Sequence, residues 1–380
     1  MITTYQNESY CINLDWLQFS VHLKCPEPEL LCPEHIRIEL CQGNNIFKNR
    51  ALIFNEQGEK MLTLLWTPYS SVLPQNLMTC QIANPYLYMG GFGIKWAYET
   101  LQEIVECSFN AIGRVDICID FQGNEQRTQF VSHLNSHHYY VQAKKEGSTW
   151  WHELGDGRKQ IHCLSWGSPT SEIKVKLYHK SREQGVLDGN PDNAEKPWII
   201  QEWQGAGMDI SNVWRLEFSL NGVGQLKWNN QPITLELLQD ENWVAQVLCE
   251  LYTTRFVTRV NQGRKKGHKN EDKRIYLFPL PDRASHLKWQ ETKIEHHDLP
   301  AAITLLRSMM RQIDNPAVVA ARPVFEYYAG TISNIIRDYS LEGYFRRTWQ
   351  QSSTEYFETL WANTGEGIHE TIASPQRLSA

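Results

Sequence analysis

The sequence predicts an α+β fold: an antiparallel sheet flanked by helices over residues 1–225, a helical C-terminal domain over 226–362, and a flexible tail at 363–380. Three observations carry this. Segments of two-residue alternation recur through the first 220 residues, stretches of helical spacing interrupt them, and after Pro232 helical spacing stands alone.

Cys11–Val21 (CINLDWLQFSV) alternates apolar and polar residues around Asp15, Trp16 and Phe19 and reads as the opening strand. Ile36–Leu40 and Met61–Trp66 read as shorter strands, followed by the turn-rich YMGGFG at Tyr88–Gly93. Trp96, Ala97, Leu101, Ile104, Val105 and Phe109 then recur at helical spacing, so a helix spans Ile94–Phe109. It leads into Arg114–Phe121 (RVDICIDF). There Val115, Ile117, Ile119 and Phe121 share one face, and Arg114, Asp116, Cys118 and Asp120 the other.

Beyond Gly123 the pattern gives a helix over Glu125–His137, a strand at Tyr139–Ala143 and a hairpin-type LGDG turn within Glu153–Arg158. Strands at Gln160–Trp166 and Ile173–Lys180 flank the loop Gly167–Ser171. In the second, Val175, Leu177 and His179 share one face, and Lys174, Lys176, Tyr178 and Lys180 the other. A short helix near Pro197–Gln204 precedes the strand Trp214–Leu220, with Arg215, Glu217 and Ser219 on one face. The C-terminal third reads as helices at Pro232–Leu238, Trp243–Val260, Pro300–Ile313, Val324–Asp338 and Leu341–Leu360.

With 41% hydrophobic residues, 21% charged, 14 Trp, 16 Tyr and 13 Phe, the composition is globular and excludes a disordered or collagenous chain. No stretch of about 18 consecutive apolar residues is present, and the N-terminus lacks a basic and apolar leader, so a soluble cytoplasmic protein without membrane contact is expected. Nine scattered cysteines without a C-x-x-C pair suit reduced, buried thiols, and Cys25, Cys32, Cys41 and His35 fit no usual zinc spacing. The net charge of −6 does not advertise nucleic acid, yet Arg255–Arg274 holds eight Lys or Arg against two acids. That run reads either as a solvated loop or as a phosphate-binding segment, with Arg264, Lys265, Lys266 and Lys269 as the candidate DNA contacts. Trp150 and Trp151 suit either stacking on unpaired bases or packing within a hairpin.

Three strands therefore offer polar sets: Arg114/Asp116/Asp120, Lys176/Tyr178/Lys180 and Arg215/Glu217/Ser219. Each alone reads as the solvated face of a half-buried strand. Gathered on one sheet face, they suit attack of a tyrosine hydroxyl on a phosphodiester. Tyr178 would be the nucleophile, Lys176 and Lys180 would lower its pKa and balance charge, and carboxylates would hold Mg2+ or Mn2+. Residues four apart on a strand are separated by about 13 Å, so Asp116 and Asp120 cannot grip one ion together. Asp116 and Glu217 are the expected metal ligands, Asp120 has a supporting role, and Arg215 is a further candidate DNA contact.

In their order and spacing, DWLQFSV, RVDICIDF, HCLSWGSPTSEIKVKLYHKSRE and WRLEFSL resemble the replication initiation factor family, the Rep_trans-type initiators of plasmid rolling-circle replication. The resemblance covers roughly residues 11–220 and implies a rolling-circle Rep-like catalytic core that nicks a replication origin site-specifically and transfers the strand. It places the nicking tyrosine at Tyr178, with Lys180 and Glu183 beside it, and the acidic positions at Asp116, Asp120 and Glu217. It further implies a 5′-phosphotyrosine, a free 3′-OH for a polymerase to extend, a homodimer and a host helicase as partner. Relaxases of integrative conjugative elements and filamentous-phage initiators are related. This chain departs from the small plasmid initiators in its long C-terminal third, and it lacks the His-hydrophobic-His motif of the wider superfamily. A conjugative relaxase with the same chemistry, a DNA-binding regulator without cleavage, and Tyr139, Tyr140 or Tyr252 as nucleophile stay open.

Overall fold

The computed structural model describes residues 2–289 except 6–7, 71–72, 142–145, 154–158, 168–170, 262–273 and 279–286. The chain divides into two compact units, Met1–Gln290 and Glu291–Ala380, and every described residue lies in the first. The LGDG turn, Arg264, Lys265, Lys266, Lys269 and the helices expected beyond Pro300 fall outside the described residues.

In chain order the elements are β1 (Ile2–Tyr5), β2 (Glu8–Leu23), β3 (Arg37–Gln42), β4 (Phe47–Phe54), β5 (Lys60–Pro68), β6 (Leu77–Ile82), α1 (Asn84–Leu87), α2 (Gly91–Ile104), β7 (Cys107–Gln122) and α3 (Glu125–Asn135). They continue with β8 (Tyr139–Val141), β9 (Glu146–Glu153), β10 (Lys159–Trp166), β11 (Ile173–His179), α4 (Lys180–Glu183), α5 (Pro197–Gly205), β12 (Val213–Asn221), α6 (Leu235–Gln239) and α7 (Glu241–Thr254). The fold is a large antiparallel sheet flanked by helices. Its strand order is β3-β4-β5-β6-β2-β7-β12-β11-β10-β9, with β1 on β2. The early strand β2 is thus inserted beside β7, at the centre.

From Val115 to Phe121 every residue of β7 is buried, and so is β12 from Val213 to Leu220, because both faces of the central strands are covered. On one face Ile117, Ile119, Leu177, Leu216 and Phe218 pack with Ile94, Ala97 and Leu101 of α2 and with Val244, Val247, Leu248 and Leu251 of α7. The other face carries the polar residues. It is closed at one end by α5, whose Ile199, Ile200 and Trp203 pack on Cys11 and Val213.

The core of the first unit runs past the boundary expected at 225, through Leu235, Trp243 and Phe278. The apolar stripes of α6 and α7 pack against the sheet and α2. Gly91 permits this approach, since a Cβ there would meet the Gln239 carbonyl oxygen at 2.2 Å, and Gly90 makes the preceding turn at φ +65°. Other boundaries shift for local reasons. The helix expected to Phe109 stops at Ile104, where Val105 turns extended and β7 begins its long pairing with β2. The helix expected over Trp243–Val260 stops at Thr254, and the β-branched Thr258–Val260 pairs with β8 instead. Thr234 caps α6, so that helix starts at Leu235 rather than Pro232. Trp150 and Trp151 belong to β9, paired with β10.

Candidate active site

Register brings the three polar sets together. Across β7 and β12 the ladder opposes Asp120 to Arg215, Cys118 to Glu217 and Asp116 to Ser219. Across β12 and β11 it opposes Glu217 to Lys176 and Arg215 to Tyr178. Directly opposed residues share a face, so carboxylates, lysine and tyrosine stand on one surface of three adjacent strands.

Tyr178 is half-buried, and its hydroxyl donates to Glu217 Oε2 at 2.9 Å. Lys176 Nζ donates to the other oxygen, Oε1, at 3.3 Å. Lys180 does not continue the strand: it opens the helical turn α4 and is fully buried. From there its Nζ reaches back to the Tyr178 hydroxyl at 3.4 Å, lies 5.3 Å from the ring centre and pairs with Glu183 at 2.6 Å. The expectation of a lowered phenol pKa is corrected. Burial, joined by the charge of Glu217, raises it well above the ordinary tyrosine value and outweighs the nearby Arg215 cation. The phenol therefore rests protonated, with its hydroxyl on a Glu217 oxygen.

Asp116 is buried and is gripped by Arg114 through both oxygens, Nε to Oδ1 at 2.9 Å and Nη2 to Oδ2 at 2.6 Å. Burial raises its pKa, opposed by the Arg114 and Ser219 hydrogen bonds and reinforced by the charge of Glu217. Asp116 and Glu217, diagonal neighbours on β7 and β12, thus feel each other's charge. Among the described residues no cluster of three or more His, Cys, Asp or Glu is placed to hold a metal. A pair of carboxylates does suit Mg2+ or Mn2+, hard ions that complete their shells with water and substrate phosphate.

Beneath the site lies a buried ionic floor. Arg215, expected to contact DNA, is fully buried and spent on protein carboxylates: Nε and Nη2 donate to Asp120 at 2.5 and 2.7 Å, and Nη1 to Asp15 at 2.7 Å. Nη2 also reaches the Tyr88 hydroxyl at 2.7 Å, and Trp203 Nε1 donates to Asp120 at 2.8 Å. Both oxygens of Asp120 are thus taken up inside this network. Desolvation would raise the pKa of Asp15, but Arg215, Lys180 and Lys196 together hold it far below the usual carboxylate range.

Sequence reasoning missed Asp15, Tyr88 and Trp203 as members of this network. The signal for Asp15 was present. On β2 the apolar-face residues are Tyr10, Ile12 and Leu14, then Leu17, Phe19, Val21 and Leu23, so the alternation slips by one at Asp15. The ladder shows why: Leu14 pairs with Ile117 and Trp16 with Asp116, leaving Asp15 as the extra residue of a β-bulge that aims its carboxylate at Arg215.

Of the other tyrosines, Tyr252 is buried in the apolar core and donates to the Phe278 carbonyl at 2.8 Å, while Tyr139 lies on β8 outside the main sheet. All described cysteines are free thiols. Cys11, Cys80, Cys118 and Cys249 are buried as expected, whereas Cys25, Cys32 and Cys41 are exposed.

His179, next to the tyrosine, points to the opposite face. Its ring lies 5.0 Å from that of Trp214, and its Nδ1 accepts from the Arg182 amide at 3.3 Å, capping α4. Burial, with Arg182 and His162 nearby, holds its pKa down at about 4. Between that value and the ordinary 6.5 the unfolded chain binds more protons than the folded one. Stability is thus full above pH 6.5 and declines as pH falls toward 4. His179→Asn keeps a capping acceptor without titrating, so its urea midpoint should drop less between pH 7 and pH 5 than that of the wild type. Equal drops would exclude His179 as the source.

No family model matches the chain, and no curated protein does. Among solved structures it is similar to a rolling circle replication initiator protein from Geobacillus stearothermophilus, with a TM-score of 0.43 and 15% identity over 70% of this chain and 93% of that one. No helix among the described residues is long and apolar enough to cross a membrane.

Proposed function

We propose that the chain is a tyrosine-dependent DNA nickase and strand transferase that initiates rolling-circle replication. The observation that carries this reading is the Tyr178 hydroxyl held on Glu217 Oε2 at 2.9 Å with Lys180 and Lys176 beside it. A half-buried phenol with a proton acceptor and two cations in reach is a nucleophile awaiting an electrophile that carries negative charge. DNA as that electrophile is supported by the basic run Arg255–Arg274.

Tyr178 Oη attacks the phosphorus, the bond from phosphorus to the 3′ oxygen breaks, and Glu217 takes the phenol proton. The leaving 3′ oxygen takes a proton from solvent. The products are a 5′-phosphotyrosine and a free 3′-OH, and reversal of the same steps by another 3′-OH transfers the strand. Lys180 and Lys176 balance the charge that builds on the phosphoryl oxygens. Asp116, with Glu217 as its neighbour, would hold the divalent ion, which when bound would neutralise further phosphate charge.

The test mixes the full-length protein with Mg2+ and supercoiled DNA carrying its own locus, and resolves the products on a denaturing gel. Protein covalently joined to a DNA 5′ end is the expected result. Salt-sensitive binding with neither nick nor adduct would overturn the reading in favour of a binding-only regulator.

A further inference from the structure

Like Lys176 at Glu217, Arg114 reaches a buried carboxylate of the polar face from solvent. Its side chain is 36% exposed, while that of Asp116 is 6% exposed. The guanidinium occupies both oxygens of Asp116 and lies 4.9 Å from the ring centre of Trp16 on β2. Glu217 acts electrostatically on both partners of the pair. Two buried carboxylates side by side require positive charge to remain ionised, and removing it from one is strongly destabilising. In the protein alone Lys176 supplies that charge at Glu217, and Arg114 supplies it at Asp116.

A divalent ion on Asp116 needs at least one of the oxygens that Arg114 holds. The two cations therefore compete for one place. Arg114 is suited to yield: its side chain is partly in solvent, it neighbours Asp116 on the same strand face, and the Trp16 ring offers it an apolar surface outside the carboxylate. We propose that Arg114 is a built-in substitute for the metal, occupying the cation position on Asp116 until a divalent ion displaces it. The proposal rests on Asp116 holding the ion, as in the proposed function.

Mn2+ alone, without DNA, tests it on the full-length protein, with free Mn2+ counted by electron paramagnetic resonance. Removing the competitor in Arg114→Gln should tighten Mn2+ binding about tenfold, which is roughly 1.4 kcal/mol. Arg114→Lys, which keeps the charge but loses the fork, should fall between. The same Mn2+ titration should raise the melting temperature of Arg114→Gln more than that of the wild type, because the ion restores the missing charge. Binding should vanish in Asp116→Asn. Equal Mn2+ affinity in wild type and Arg114→Gln, with loss in Asp116→Asn, would overturn the exchange and leave the metal site standing. Binding indifferent to Asp116→Asn, or absent from every variant, would overturn both.

Discussion

Tyr178→Phe is expected to abolish the covalent protein–DNA adduct and to lower strand cleavage by about 10³-fold or more, since no other group at the site replaces the lost nucleophile. The substitution removes one oxygen. The ring stays under Lys180, and Glu217 keeps Lys176 as partner, so folding and DNA binding should be unchanged. That contrast is the value of the experiment, because a role confined to packing would touch stability and leave cleavage alone. Glu217→Gln should act on the same step by removing the proton acceptor, lowering cleavage by about 10²–10⁴-fold while the tyrosine remains. An adduct that persists in Tyr178→Phe would place the nucleophile on another tyrosine.

The largest expected effect on stability comes from Arg215→Met. The arginine is fully buried between Asp120 and Asp15, and its loss leaves a fully buried carboxylate and a largely buried one without their cation. Breaking such a buried network from one side typically costs about 3–5 kcal/mol, a large share of a domain's stability. Urea unfolding at pH 7 should show it. The deficit should shrink in acid. In the wild type Arg215 holds the Asp15 pKa far below the usual carboxylate range, so acid costs the wild type stability that the variant, lacking that cation beside Asp15, no longer has to lose. Asp120→Asn in the Arg215→Met background should recover part of the loss. A variant as stable as the wild type would show that the network stabilises nothing.

Much of this site was legible in the amino-acid order because β7, β11 and β12 keep strict alternation exactly where their polar residues sit. Val115, Ile117 and Ile119 mark one face unambiguously, which leaves Asp116 and Asp120 for the other. Pairing between strands was not legible, because the ladders that oppose Arg215 to Tyr178 and to Asp120 join residues 37 and 95 positions apart. Those ladders decided Arg215: on an isolated strand it reads as a free cation, and in the sheet it is the centre of a closed network. Lys180 was read one residue too far along the strand, since nothing in its spacing announces that His179 caps a helical turn. The packing of α6 and α7 was not legible for a similar reason. An amphipathic stripe on α7 shows that it must be covered, not that the cover is the sheet.

The bulge at Asp15 makes chain length itself a determinant at one point of β2. Tyr10, Ile12 and Leu14 are even-numbered and Leu17, Phe19, Val21 and Leu23 odd-numbered, yet all face the same helices because one surplus residue lies between them. Substituting Asp15 would disturb only the ionic floor. Deleting it would set the two halves of the strand out of phase, turning one apolar set onto the side that carries Glu217 and Tyr178. At this position the protein should tolerate a change of letter far better than a change of count.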